Sequence, residues 1–244
     1  MQALPSSFRN VRVLAFDADD TLWENETLYR KAEARWAEVL KDYGTLEELS
    51  AALYSVESAN MPLYGYGTRA FFMSLVETSL KVSGNALKGE QTGAILDIAR
   101  DLLHNPATPL PGVPETLESI RESKRYIMVL LTKGDLLDQE LKIERSGLGK
   151  FFDYVDIVSN KSRKEYLDIC AKYGICPAEF LMVGNSFKSD IAPVLEIGGS
   201  GIHVPFHVTW EHERMEEFPH PNLAKVRSFS EIAPLLLGDS AAGV

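Results

Sequence analysis

Cysteine is almost absent: Cys170 and Cys176 are the only thiols in 244 residues. Two cysteines cannot build a disulfide framework, and six residues apart, with no companion Cys or His, they do not match a zinc site. Both are expected to be reduced. Long apolar runs are missing as well, since no stretch approaches the roughly 20 residues that cross a bilayer. The opening MQALPSSFRN has one arginine and no apolar core, so no secretory signal is expected there. Positive charge is scarce: 25 Lys and Arg against 35 Asp and Glu give a formal charge of −10, with a pI near 5.1. That sign argues against a general nucleic-acid or anionic-membrane surface, which needs a basic face. These absences suggest a soluble protein of a reducing compartment, the cytoplasm.

What is present reads as a globular chain. Hydrophobic residues make up 45% and charged residues 25%, enough apolar side chain to bury a core and too much for disorder. A β-branched apolar run at 11–16 stops in the acidic cluster Asp17-Ala18-Asp19-Asp20. Comparable runs recur at 126–131, 154–158, 180–183 and 202–204, and helical stretches at 114–122, 136–146, 162–173 and 189–197 lie between them. This alternation predicts an α/β fold: a Rossmann-like parallel sheet with helices on both faces. Such sheets bind ligands at the C-terminal edge of their strands.

Residues 23–108 break the rhythm. They contain no convincing strand and read as amphipathic helices, at 28–40, 46–56 and 71–82 among others. The stretch closes in a stiff connector with prolines at 106, 109, 111 and 114. The expected organisation is a catalytic core of 1–22 and 109–244 carrying a helical insert of 23–108. The small, polar tail at 238–244 is expected to fray.

Chemistry-bearing residues follow the strands one after another. Asp17 and Asp19 are two apart, so in extended backbone both carboxylates leave on one side and repel unless a cation lies between them. Oxygen-only ligands of this kind suit Mg²⁺, although a lone Asp-x-Asp is more often a solvated turn. The second strand ends in Thr132-Lys133-Gly134-Asp135, a hydroxyl and backbone N–H groups at a glycine turn, which is an anion cradle. Lys161-Ser162-Arg163-Lys164 follows the third strand, and Gly184-Asn185-Ser186 through Asp190 follows the fourth. One such motif is weak; four in order after separate strands describe a composite site.

These residues resemble the haloacid-dehalogenase-like hydrolase superfamily, in its capped phosphatase branch. The resemblance covers about residues 9–22 and 110–238, and the insert is similar to the helical caps found at that point in one branch. It implies a Mg²⁺-dependent phosphohydrolase acting on a small phosphorylated metabolite. Asp17 is then the nucleophile, forming an aspartyl-phosphate, and Asp19 the general acid–base, with its main-chain carbonyl on the metal. Asp17 and Asp190 supply metal carboxylates, and Asn185 stands where a charged ligand is common, so it adds an amide and no charge. Thr132 and the N–H groups of Lys133 and Gly134 hold phosphoryl oxygens. Lys161 is preferred over Lys164 as the lysine that neutralises charge. An acid at position 19 favours an alkoxide leaving group over a halide, which needs no proton. A phosphomutase, or a binding module with a degenerate site, would use the same residues.

Four further features are weaker. Trp23 and Arg69, the latter in the loop Tyr64-Gly65-Tyr66-Gly67-Thr68-Arg69, are candidate substrate contacts, a packed core residue and a plain turn being the competing readings. His203, His207 and His212 form a conceivable but poorly spaced metal set. The run 211–217 reads as a solvated acidic surface.

Overall fold

The computed structural model describes residues 5–238; the tail at 239–244 and the first four residues lie outside them. Contacts divide the chain into two compact units. One comprises the stretches ending at Glu24, spanning Ala107–Lys133 and beginning at Ile143; the other comprises Asn25–Pro106 and Gly134–Lys142.

The first unit is built on six parallel strands: β1 (Val13–Phe16), β2 (Ile127–Lys133), β3 (Tyr154–Val158), β4 (Phe180–Gly184), β5 (Ser200–His203) and β6 (Leu223–Lys225). Their order is β3-β2-β1-β4-β5-β6. Alternate residues of β1 enter different cores. Leu14 and Phe16 pack with Leu130, Leu181 and Val183 on one face, while Val13 and Ala15 pack with Val129, Leu131 and Met182 on the other. Both faces are dry, which is why the strand reads as an unbroken apolar run. The β6 strand is the one that sequence periodicity misses, because three residues carry no usable pattern.

The second unit is helical: α1 (Glu26–Val39), α2 (Leu46–Tyr64), α3 (Thr68–Val82) and α4 (Gly89–Leu103). Its core gathers Trp36, Leu40, Leu49, Leu53, Phe71, Leu75, Ile95 and Ile98. Helix α2 opens with a reciprocal cap between Thr45 and Glu48 and runs eight residues past the expected end at 56. The apolar stripe stops there because Asn60 takes an inward position, donating to Ser74 Oγ (3.2 Å) and Glu77 (2.9 Å).

Returning to the sheet unit, helices α5 (Val113–Glu122) and α9 (Ile232–Leu237) cover the first face of the sheet. Helix α7 (Arg163–Lys172) and the short α8 (Ala192–Glu196) cover the second. The earlier helix α6 (Leu136–Ser146) divides its residues between the units. Its first turns group with the helices, where Asp138 accepts from Thr68 (3.1 Å) and Lys142 donates to Asn25 (3.0 Å). Trp23 and Glu24, expected in the insert, belong instead to the sheet unit, because the backbone at Trp23 pairs with Asp19 and Pro109. Among the described residues no helix is long and apolar enough to cross a membrane.

Candidate functional site

The sheet order makes β1 the point where the chain turns from building one half to building the other. β2 lies on one side of it and β4 on the other, which leaves a crevice at the strand C-termini. Asp17 is the first residue past β1, and its N–H continues the ladder to Val183 O (2.9 Å). The chain then makes one tight turn. Leu22 N–H returns to Ala18 O (2.8 Å), Asp20 N–H donates to Trp23 O (2.7 Å), and Asp20 itself has a φ of 61°. Aspartate tolerates that left-handed conformation better than bulkier residues do. The turn brings Thr21 back over the strand end, where its hydroxyl donates to Asp17 Oδ2 (2.9 Å) and accepts from the Asn185 N–H (3.0 Å).

Asp190 arrives from the other side of the crevice. Past β4 the chain forms a π-helical turn, Phe187–Ile191, where a regular helix at 189–197 was expected. Such turns recur at functional sites. The Asp190 side chain folds back over the end of β4, so closely that a Cβ at Gly184 would overlap its carboxylate. The Ser186 N–H holds its Oδ2 (3.0 Å).

Lys161 closes the set. Its ammonium donates to Asp17 Oδ1 (2.5 Å) and Asp190 Oδ1 (2.8 Å), and all three side chains are buried. Lys164 is exposed and pairs with Asp168 (2.6 Å), so Lys161 is the lysine that joins the carboxylates. Burial, then the neighbouring Asp190, pushes the Asp17 carboxyl up to about 7 against the pull of Lys161. Burial disfavours the charge on Lys161, but Asp17 and Asp190 outweigh it and hold the ammonium above its ordinary value.

The remaining expected residues fall as follows. Asp19 accepts a hydrogen bond from Trp23 Nε1 (2.7 Å). Trp23, expected against a substrate, is fully buried in the core beneath the turn. Thr132 is buried at the end of β2, and Lys133 and Gly134 follow it. Arg69 sits on α3 in the helical unit, paired with Asp135. Asn185 follows β4, its main-chain carbonyl bonded to His203 Nε2 (2.9 Å). Burial pushes that imidazole below its ordinary value, and through this bond the ring supports the β4 turn. Among the described residues no group of three or more His, Cys, Asp or Glu forms a metal-type cluster. The side chains of Asp17 and Asp190 are instead gathered through Lys161.

One participant escaped the sequence. Glu213, expected on a solvated acidic surface, has a side chain only 12% exposed and pairs with Lys133. It also accepts from Ser189 Oγ (2.9 Å), whose hydroxyl takes a second bond from Lys133 Nζ (3.0 Å). Burial works against the Glu213 charge, but Lys133 outweighs it and holds the carboxyl below its ordinary range. The segment after β5 is thereby tied to the end of β2 and to the π turn. The surrounding run of glutamates, with no apolar periodicity, disguised it.

Comparisons with known proteins point to one hydrolase family. A family model described as haloacid dehalogenase-like hydrolase matches residues 11–198. The glyceraldehyde 3-phosphate phosphatase of Methanothermobacter thermautotrophicus is 26% identical over 217 residues, 84% of this chain and 89% of that protein. The 5-amino-6-(5-phospho-D-ribitylamino)uracil phosphatase of Escherichia coli is 20% identical over 239 residues, covering 91% and 96%. A haloacid dehalogenase-like hydrolase from Xanthomonas campestris superposes with a TM-score of 0.77 at 35% identity, covering 87% of this chain and 88% of that one. L-2-haloacid dehalogenase from Xanthobacter autotrophicus shares the fold, with a TM-score of 0.65 at 18% identity over 94% and 100% of the chains.

Proposed function

This chain belongs to the haloacid dehalogenase-like hydrolases, and from that premise we propose that it is a Mg²⁺-dependent phosphohydrolase of small phosphate monoesters working through an aspartyl-phosphate. The observation that carries the reading is the Lys161 ammonium bridging two buried carboxylates, Asp17 and Asp190, with a third, Asp19, two residues along the turn. The named phosphatases among its relatives support the same chemistry.

The residues present fit a divalent cation. Two buried carboxylates, Asp17 and Asp190, share the single Lys161 ammonium, so a net negative charge is left over. Two carboxylates completed by main-chain oxygen and solvent are what Mg²⁺ takes. Asp17, Asp190 and the Asp19 carbonyl would hold the ion, with the Asn185 amide at the edge of the set. Once bound it would offset charge on the phosphoryl oxygens and polarise phosphorus.

The protein's own groups carry the steps. Asp17, aimed by Thr21 and Lys161, attacks phosphorus as the ester P–O bond breaks, and the leaving alkoxide takes a proton from Asp19. Water then attacks the aspartyl-phosphate, the P–O bond to Asp17 breaks, and Asp19 recovers its proton from that water. Thr132 and the N–H groups of Lys133 and Gly134 receive the phosphoryl oxygens, and Lys161 stabilises their charge. Because a halide leaves without a proton, Asp19 in this position favours phosphate esters over carbon–halogen bonds.

The test is turnover of p-nitrophenyl phosphate with and without Mg²⁺. Wild type is expected to need the metal, and Asp17→Asn to lose at least roughly 10³-fold in kcat, the scale of removing a nucleophile. Asp17→Asn activity equal to wild type contradicts the reading.

A further inference from the structure

Trp23 stands beside the proposed acid–base in a manner that no motif assigns to it. Its ring is fully buried in the core of the sheet unit, yet the indole N–H donates to Asp19 Oδ1 over 2.7 Å. The backbone supports this orientation from three sides. Trp23 bridges in parallel to Asp19 and antiparallel to Pro109, its carbonyl accepts the Asp20 N–H (2.7 Å), and Leu22 O accepts the Leu110 N–H (2.8 Å). The indole is therefore held by packing and by main-chain pairing before it meets the carboxylate.

The geometry points to Trp23 as a positioning residue that selects which oxygen of Asp19 does the proton transfer, a role that rests on Asp19 being the acid–base. An indole nitrogen is a donor only. The oxygen it faces, Oδ1, is favoured as the carbonyl oxygen, which accepts a hydrogen bond better than a hydroxyl oxygen does, and this leaves Oδ2 as the oxygen that carries the transferable proton. Two consequences follow for the reaction. In the first step Oδ2–H delivers its proton to the leaving alkoxide as the ester bond breaks; in the second, Oδ2 takes a proton from the water that attacks the aspartyl-phosphate. The Trp23 N–H is neither gained nor lost. A part-buried bond of this length also restricts rotation of the carboxylate about its terminal torsion, which is otherwise broad, so the acid is aimed before substrate arrives.

Leaving-group dependence separates aiming from mere packing. A good leaving group such as p-nitrophenolate departs with little protonation, whereas a phenolate of higher pKa needs the acid. The experiment measures kcat/KM for p-nitrophenyl phosphate and phenyl phosphate in wild type, Trp23→Phe and Asp19→Asn. A second Trp23 variant carries benzothienylalanine, which keeps the bicyclic shape and lacks the N–H. Both Trp23 variants are expected to lose roughly tenfold more on phenyl than on p-nitrophenyl phosphate, part of the 10²–10⁴ that acid–base catalysis supplies. Asp19→Asn is expected to show a larger difference of the same sign. If the benzothienyl variant loses equally on both esters, or loses nothing, while Asp19→Asn discriminates between them, the positioning role is overturned and the acid–base assignment survives. If Asp19→Asn also fails to discriminate, the acid–base role beneath it falls as well.

Discussion

At the scale of single residues, the site is a problem in charge balance. Lys161 is buried between two carboxylates that would otherwise repel, and each remaining oxygen is held, Asp17 Oδ2 by Thr21 and Asp190 Oδ2 by Ser186. Removing the cation leaves both charges uncompensated. Lys161→Met is expected to lower stability by about 3–5 kcal/mol, the range for breaking a buried pair by deleting one partner. Added Mg²⁺ should recover part of that loss, because a cation binding only the native state stabilises it. Denaturant midpoints with and without Mg²⁺ measure both effects; an unchanged midpoint in the variant contradicts the account. Most of this cluster was legible in the sequence, since Asp17, Asp19, Lys161 and Asp190 each follow a strand and carry side chains suited to one chemistry. What was not legible is direction. Trp23 read as either a substrate contact or a core residue, and its indole turns toward Asp19; nothing in the sequence signalled that the Lys133 ammonium pairs with Glu213. Position along the chain says which residues reach a region, and only packing says which way each one faces.

At the scale of elements, the buried parallel strands were the easiest to read, because two dry faces demand an unbroken apolar run. Elements with mixed requirements were harder. The expected helix at 189–197 is interrupted by the π turn that aims Asp190, and the stripe of α2 ends early because Asn60 faces inward. Another inward polar residue on α2 makes the helical unit sensitive to pH. Burial, then Glu33 and Glu26 on α1, pushes the Glu57 carboxyl from 4.5 up to about 7, against the pull of Arg30. A carboxyl raised in the folded state contributes stability that is complete below about 4.5 and disappears as pH rises through about 7. Each pH unit within that window costs at most about 1.4 kcal/mol. Glu57→Gln should remove this slope, so the stability difference between variant and wild type should grow from pH 4.5 toward pH 7. Unfolding curves across that range check it, and a constant difference would mean that Glu57 titrates normally.

At the scale of the whole molecule, one sheet collects residues far apart in the chain. Asp17, Lys161 and Asp190 meet because β1 has β4 as a neighbour, and the family match over 11–198 spans all three. The fold class followed from alternating strands and helices, while the division into units did not follow completely. The start of α6 joins the helical unit through polar bonds to Thr68 and Asn25 that no periodicity announces. The central claim remains chemical: a phosphoryl group passes through Asp17. Rapid quenching during turnover of p-nitrophenyl phosphate, borohydride reduction and peptide mass spectrometry test it most directly. Phosphorylated Asp17 is reduced to homoserine and an unmodified carboxylate is not. The account predicts homoserine at position 17 in wild type and none in enzyme quenched before substrate is added. Active wild-type enzyme that turns over many equivalents of substrate with Asp17 never modified at any quench time would contradict it.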